Sequence, residues 1–83
     1  MRRKFAKKKR KEILRLGATF GREEYCEGYQ KRRKDRCFLA ETIFNGWHIS
    51  SFGTDELEAY DAALDCVKYF AKTGERPDVE EEK

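Results

Sequence analysis

Fourteen cations in two clusters are the residues of this chain best suited to engage a partner. The first cluster is Arg2, Arg3, Lys4, Lys7, Lys8, Lys9, Arg10, Lys11 and Arg15, interrupted among its charges only by Glu12. The second is Lys31, Arg32, Arg33, Lys34 and Arg36, with Asp35 inside it. Blocks of like charge repel one another, which opposes folding unless a counter-anion is bound. Phosphate is the counter-anion of choice, because neutralising it releases condensed counterions. The plainer alternative is a solvated tail and a solvated loop that serve solubility alone. Two clusters in one short chain favour nucleic acid as the partner.

The remaining reactive side chains do not assemble into a catalytic or metal-binding pattern. Cys26, Cys37 and Cys66 are an odd, widely spaced set. Such thiols suit a reducing compartment, as small buried hydrophobes. Joined by His48 they would supply four zinc ligands, but no C-x-x-C pair marks such a site. His48 is the one histidine and lacks a nucleophile or acid at a diagnostic spacing. Tyr25, Tyr29, Phe44 and Trp47 have the chemistry to stack on bases, although a small domain needs such rings in its core. These residues point to a binding protein with no metal, no cofactor and no small-molecule substrate.

The chain that must position the cations has 83 residues, enough for one domain with a modest core. Its charge is divided along its length. Residues 1–36 carry 15 Lys/Arg against 5 Asp/Glu, for +10, and residues 37–83 carry 4 against 11, for −7. No apolar run reaches the roughly 20 residues of a membrane span, and no apolar stretch follows the basic start as in a secretion signal. An intracellular, cytoplasmic setting is the expectation.

The expected architecture is α+β: a short basic N-terminal helix, a three-stranded antiparallel sheet and a C-terminal helix packed on it. Residues 1–12 are expected as a partly disordered arm, 13–73 as the domain and 74–83 as a disordered acidic tail. The first helix reads over 3–16, ordered near Ile13–Leu16, with Gly17 as its stop. Tyr25 to Gln30 reads as the first strand, Lys31 to Asp35 as a basic hairpin loop, and Arg36 to Phe44 as the second strand. Asn45-Gly46 is a strong two-residue turn signal, leading to a third strand over Trp47 to Phe52. That turn sets Phe44 opposite Trp47 and Thr42 opposite Ile49. One sheet face then carries Phe38, Ala40, Thr42, Phe44, Trp47 and Ile49. The other carries Cys37, Leu39, Glu41, Ile43, His48, Ser50 and Phe52. Both contain apolar residues, so alternation does not choose the core side.

Thr54 or Asp55 is expected to cap a helix running to about Lys72, with Glu58 completing a capping box. Leu57, Tyr60, Leu64, Val67 and Ala71, flanked by Ala63 and Phe70, form its core stripe. Glu58, Asp61 and Asp65 fall on the opposite face with Lys68 and Lys72. That face reads as solvated, or as a docking surface for a basic protein. The second reading makes the chain a small interaction or inhibitor protein, of the sort phages encode, acting on a host protein or nucleoprotein complex.

The order helix, three strands, helix, with Ala59-x-x-Ala62-Ala63-x-x-Cys66-Val67 after the Asn45-Gly46 hairpin, resembles the double-stranded RNA-binding domain. The likeness covers about residues 5–72, with Tyr25 and Phe38 near the family's aromatic strand positions. It implies that the first helix and first hairpin loop meet successive minor grooves. Here those regions hold Lys7 to Lys11, Arg15 and Lys31 to Lys34. The family's lysine pair at the start of the last helix is replaced by Asp55, Glu56 and Glu58, and its Gly-Pro-x-His loop pattern is missing. A second likeness is to AP2-type domains and the arm-binding domains of phage integrases. Phe52-Gly53-Thr54 leading into Glu58-Ala59-Tyr60-Asp61-Ala62-Ala63 resembles the AP2 passage from strand to helix. This implies DNA binding by the sheet in a major groove.

Overall fold

The computed structural model describes residues 2–26 and 37–74. Their order is α1 (Arg2–Arg15), β1 (Thr19–Cys26), β2 (Cys37–Phe44), β3 (Trp47–Gly53) and α2 (Glu56–Thr73). The three strands form one antiparallel sheet with β2 in the centre. Both helices lie on one face, with α2 on β2 and β3 and α1 beside α2. The result is a two-layer α+β fold.

Register follows from the turn. Asn45 and Gly46 both take positive φ, 52° and 83°, the conformation that joins twisted strands through two residues. Phe44 therefore pairs with Trp47, Thr42 with Ile49 and Leu39 with Phe52. Phe38, Ala40, Phe44 and Ile49 turn toward the helices and join Ala59, Tyr60, Ala63, Leu64, Val67 and Phe70 in the core. The face carrying Phe38 to Ile49 is thus the core face. Ala71, expected in the stripe of α2, is exposed, while Phe70 beside it is buried against Phe44.

β1 departs from expectation. It begins at Thr19, six residues before the expected Tyr25, and runs to Cys26, while residues 27–30 of the expected strand lie outside the described residues. Its Phe20 packs on the core and edge-on to Tyr60, 5.6 Å between centroids, and Tyr25 meets Phe38 at 5.0 Å. These contacts hold a polar sequence in the ladder despite an irregularity between Phe20 and Arg22. The expected loop over Lys31 to Asp35 and the acidic tail lie outside the described residues.

α1 spans Arg2–Arg15, against an expected 3–16. Ala6 and Ile13, seven residues apart, are 1% and 0% exposed and anchor one side of it. Two cations on that side have carboxylate partners, which removes part of the self-repulsion along the helix.

α2 is closed at both ends. Asp55 caps it by accepting from the Glu58 N–H at 3.0 Å, and Glu58 reaches back to the Thr54 N–H at 2.8 Å. Gly74 ends it, its N–H donating to the Phe70 carbonyl at 2.7 Å. Where β3 passes into this helix, a Cβ on Gly53 would lie 2.5 Å from Glu58 Cβ and 2.6 Å from the Ala59 nitrogen.

Candidate nucleic-acid interface

One turn of α1 advances 3.6 residues, so positions seven apart share a face. Ala6 and Ile13 mark the side toward α2, and Lys9 and Arg10 flank them. Lys9 Nζ is 3.0 Å from Asp61 Oδ1, and this carboxylate raises its pKa. Arg10 donates to Glu23 from Nε at 2.5 Å and from Nη2 at 2.9 Å. Its guanidinium also lies 4.9 Å above the Phe20 ring. The Tyr60 hydroxyl donates to the same Glu23 carboxylate at 2.5 Å. Arg10's hydrogen bond holds Glu23 below the usual carboxylate range, against a smaller opposing effect of burial. Burial, followed by the hydrogen bond to Glu23, pushes the Tyr60 phenol up. This cluster ties α1, β1 and α2 together.

The opposite side of α1 carries five further cations. Lys4, Lys8, Lys11 and Arg15 recur at intervals of four, three and four, which puts them in one row. Lys7 stands beside the row, and all five are exposed. No carboxylate pairs with any of them among the described residues. The row covers 11 residue steps, roughly 16 Å at the helical rise. Glu12, the helix's one acid, is at the side of the row and 3.9 Å from Lys68 Nζ. Together Lys8, Lys11, Glu12, Arg15 and Leu16 line an open depression.

The fourteen candidate cations therefore divide. Lys4, Lys7, Lys8, Lys11 and Arg15 form the ridge. Arg3 lies near its start, in a hollow shared with Tyr25, Asp55, Glu56 and Leu57. Lys9 and Arg10 are turned inward and engaged. Arg2 belongs to α1, and Lys31, Arg32, Arg33, Lys34 and Arg36 lie outside the described residues. Tyr25 is one residue short of the end of β1, so the hollow sets the start of α1 beside that end of the strand.

The candidate docking acids divide too. Glu58 serves the helix cap and Asp61 the pair with Lys9, while Asp65 is exposed on α2.

The far face of the sheet carries two side-chain pairs. Arg22 pairs with Glu24, and His48 Nδ1 lies 2.9 Å from Glu41 Oε2. Cys37, Leu39 and Ile43 share this face on the central strand. Two carboxylates on this face oppose the approach of a phosphate backbone. Among the described residues no group of three or more His, Cys, Asp or Glu side chains is placed to hold a metal, and no helix is long and apolar enough to cross a membrane. No family model, curated protein or solved structure matches this chain.

Proposed function

We propose that this protein binds nucleic acid through the outward ridge of α1, gripping phosphates without reading base sequence. The observation that carries the proposal is the sorting of charge on one helix. Lys9 and Arg10 are paired with Asp61 and Glu23, whereas Lys4, Lys8, Lys11 and Arg15 stand in a row with no carboxylate partner among the described residues. Neighbours three or four apart on a helix lie roughly 5–6 Å apart, so the row suits successive phosphates of one strand. Lysine is a point charge suited to phosphate, and Arg15 is the one planar, fork-shaped donor on the ridge. The second cluster adds five cations to the same basic half of the sequence. A duplex is the favoured form, on the resemblance to double-stranded RNA-binding domains. The role is binding rather than catalysis, in an intracellular setting.

Docking of a protein partner on Glu58, Asp61 and Asp65 has weaker support, since two of the three have duties within the chain. Binding by the sheet face, as in the AP2 likeness, would bring Glu24 and Glu41 against phosphate.

The test is binding to matched duplex RNA, duplex DNA and single strands across a salt series, with the K4Q/K8Q/K11Q/R15Q variant alongside. Log affinity should fall with log salt by about 0.9 for each phosphate neutralised on a duplex. The variant should bind more weakly on every sequence, with a shallower slope and unchanged circular dichroism. Equal binding by the variant, or affinity no better than a generic basic peptide, would overturn the proposal.

A further inference from the structure

Cys26 ends β1 and Cys37 begins β2, and the register places them directly opposite one another. Both lie on the sheet face away from the helices, Cys26 half-buried and Cys37 buried, as free thiols. Opposite residues of an antiparallel ladder have Cα atoms about 4.5–5.5 Å apart. A disulfide spans about 4.4–6.8 Å between Cα atoms. Cys66 sits on α2, on the other side of the sheet, and packs against the core. We propose that Cys26 and Cys37 form a dithiol site, oxidised to an intrachain disulfide by a low-molecular-weight disulfide of the glutathione type.

The exposures set the order of steps. The Cys26 thiolate attacks one sulfur of the small disulfide, forming a mixed disulfide and expelling one thiolate. Cys37 Sγ then attacks the Cys26 sulfur and expels the second small thiolate. The two protein thiols lose two protons and two electrons, and the small disulfide takes them up as two thiols. The product closes the ten-residue link that holds Lys31, Arg32, Arg33, Lys34 and Arg36 into a covalent ring. Neither thiol belongs to the basic ridge, so this chemistry holds whether or not nucleic acid binds.

The full native chain would be equilibrated in glutathione buffers of graded composition and followed by intact mass and peptide mapping. The expected product has lost two hydrogen atoms, with Cys26 joined to Cys37. Cys66→Ser should behave identically, whereas Cys37→Ser should stop at a glutathione adduct on Cys26. A trivalent arsenical, which needs two adjacent thiols, should bind the unaltered reduced chain with one-to-one stoichiometry and so tests the site without any substitution. A stable adduct on Cys26 without the cross-link, a link to Cys66, or no arsenical binding would each overturn the inference.

Discussion

At Thr42 a hydroxyl sits in the core with no hydrogen-bond partner among the described residues, on a residue that is 0% exposed. A buried polar group left unsatisfied costs about 1–3 kcal/mol. Thr42→Val replaces that hydroxyl with a methyl of similar shape. Its urea midpoint should rise by the equivalent of about 1 kcal/mol at unchanged slope, and a fall would show that the hydroxyl is engaged. Glu23 presents the reverse case, one carboxylate receiving Arg10 and Tyr60. Its folded pKa lies below its unfolded value, so the stability it contributes is complete above the unfolded value of about 4.3. That contribution is lost as pH falls through the folded value. Tyr60 works at the other end of the scale. Its raised pKa gives stability present below about 10 and lost as pH rises toward the folded value. Glu23→Gln should flatten the acid limb of a stability-versus-pH curve, and Tyr60→Phe should cost about 1–2 kcal/mol at neutral pH. The sequence displayed Lys7 to Lys11 as five equivalent cations. Which of them face inward is decided by Glu23 and Asp61, which are 13 and 52 residues away from their partners. The seven-residue interval between Ala6 and Ile13 was the local sign of that division.

At the scale of elements, α1 is held by Ala6, Ile13 and its ion pairs rather than by broad contact with the sheet. Ile13 is fully buried, and truncating such a side chain to Ala costs about 2–5 kcal/mol. In Ile13→Ala, hydrogen exchange should quicken throughout α1 more than in β2. Uniform quickening would mean that α1 does not open on its own. β2, β3 and α2 were legible because each announces itself locally: branched and aromatic runs, Asn45-Gly46, and Asp55 with Glu58. β1 was not. Phe20 to Glu24 contains glycine and three charges, and an edge strand exposes such residues at little cost. Only its pairing with β2 and the contact of Phe20 with Tyr60 identify it. Self-repulsion in the basic helix is visible in a sequence, whereas the distant carboxylates that pair with Lys9 and Arg10 are not.

For the whole molecule, charge separation is the governing property. The formal net charge is only +3, yet the basic half holds +10 and the acidic half −7. A polyanion that binds the folded ridge must stabilise the fold in proportion to the logarithm of its concentration over its dissociation constant. Short duplexes should therefore raise the melting temperature at low salt, and added salt should cancel the gain as phosphate contacts are screened. A melting temperature insensitive to duplex would oppose the ridge reading independently of any binding assay. Oxidation of the Cys26–Cys37 pair gives a separate, salt-independent increment. Closing a link of this length is worth up to about 3 kcal/mol in the chain-entropy picture.

Gly53 carries its own consequence for how this chain tolerates change. Its neighbours within 3 Å of an added carbon include the backbone of Ala59, which cannot swing aside as a flexible side chain would. In a saturation library selected for folded protein, position 53 should therefore accept a single amino acid, with even alanine excluded. Lys4, Lys8 and Lys11 should admit nearly every residue under the same selection. Selecting the library for folding alone and then for binding would separate the two kinds of position: Gly53 fixed in both rounds, the lysines fixed only in the second.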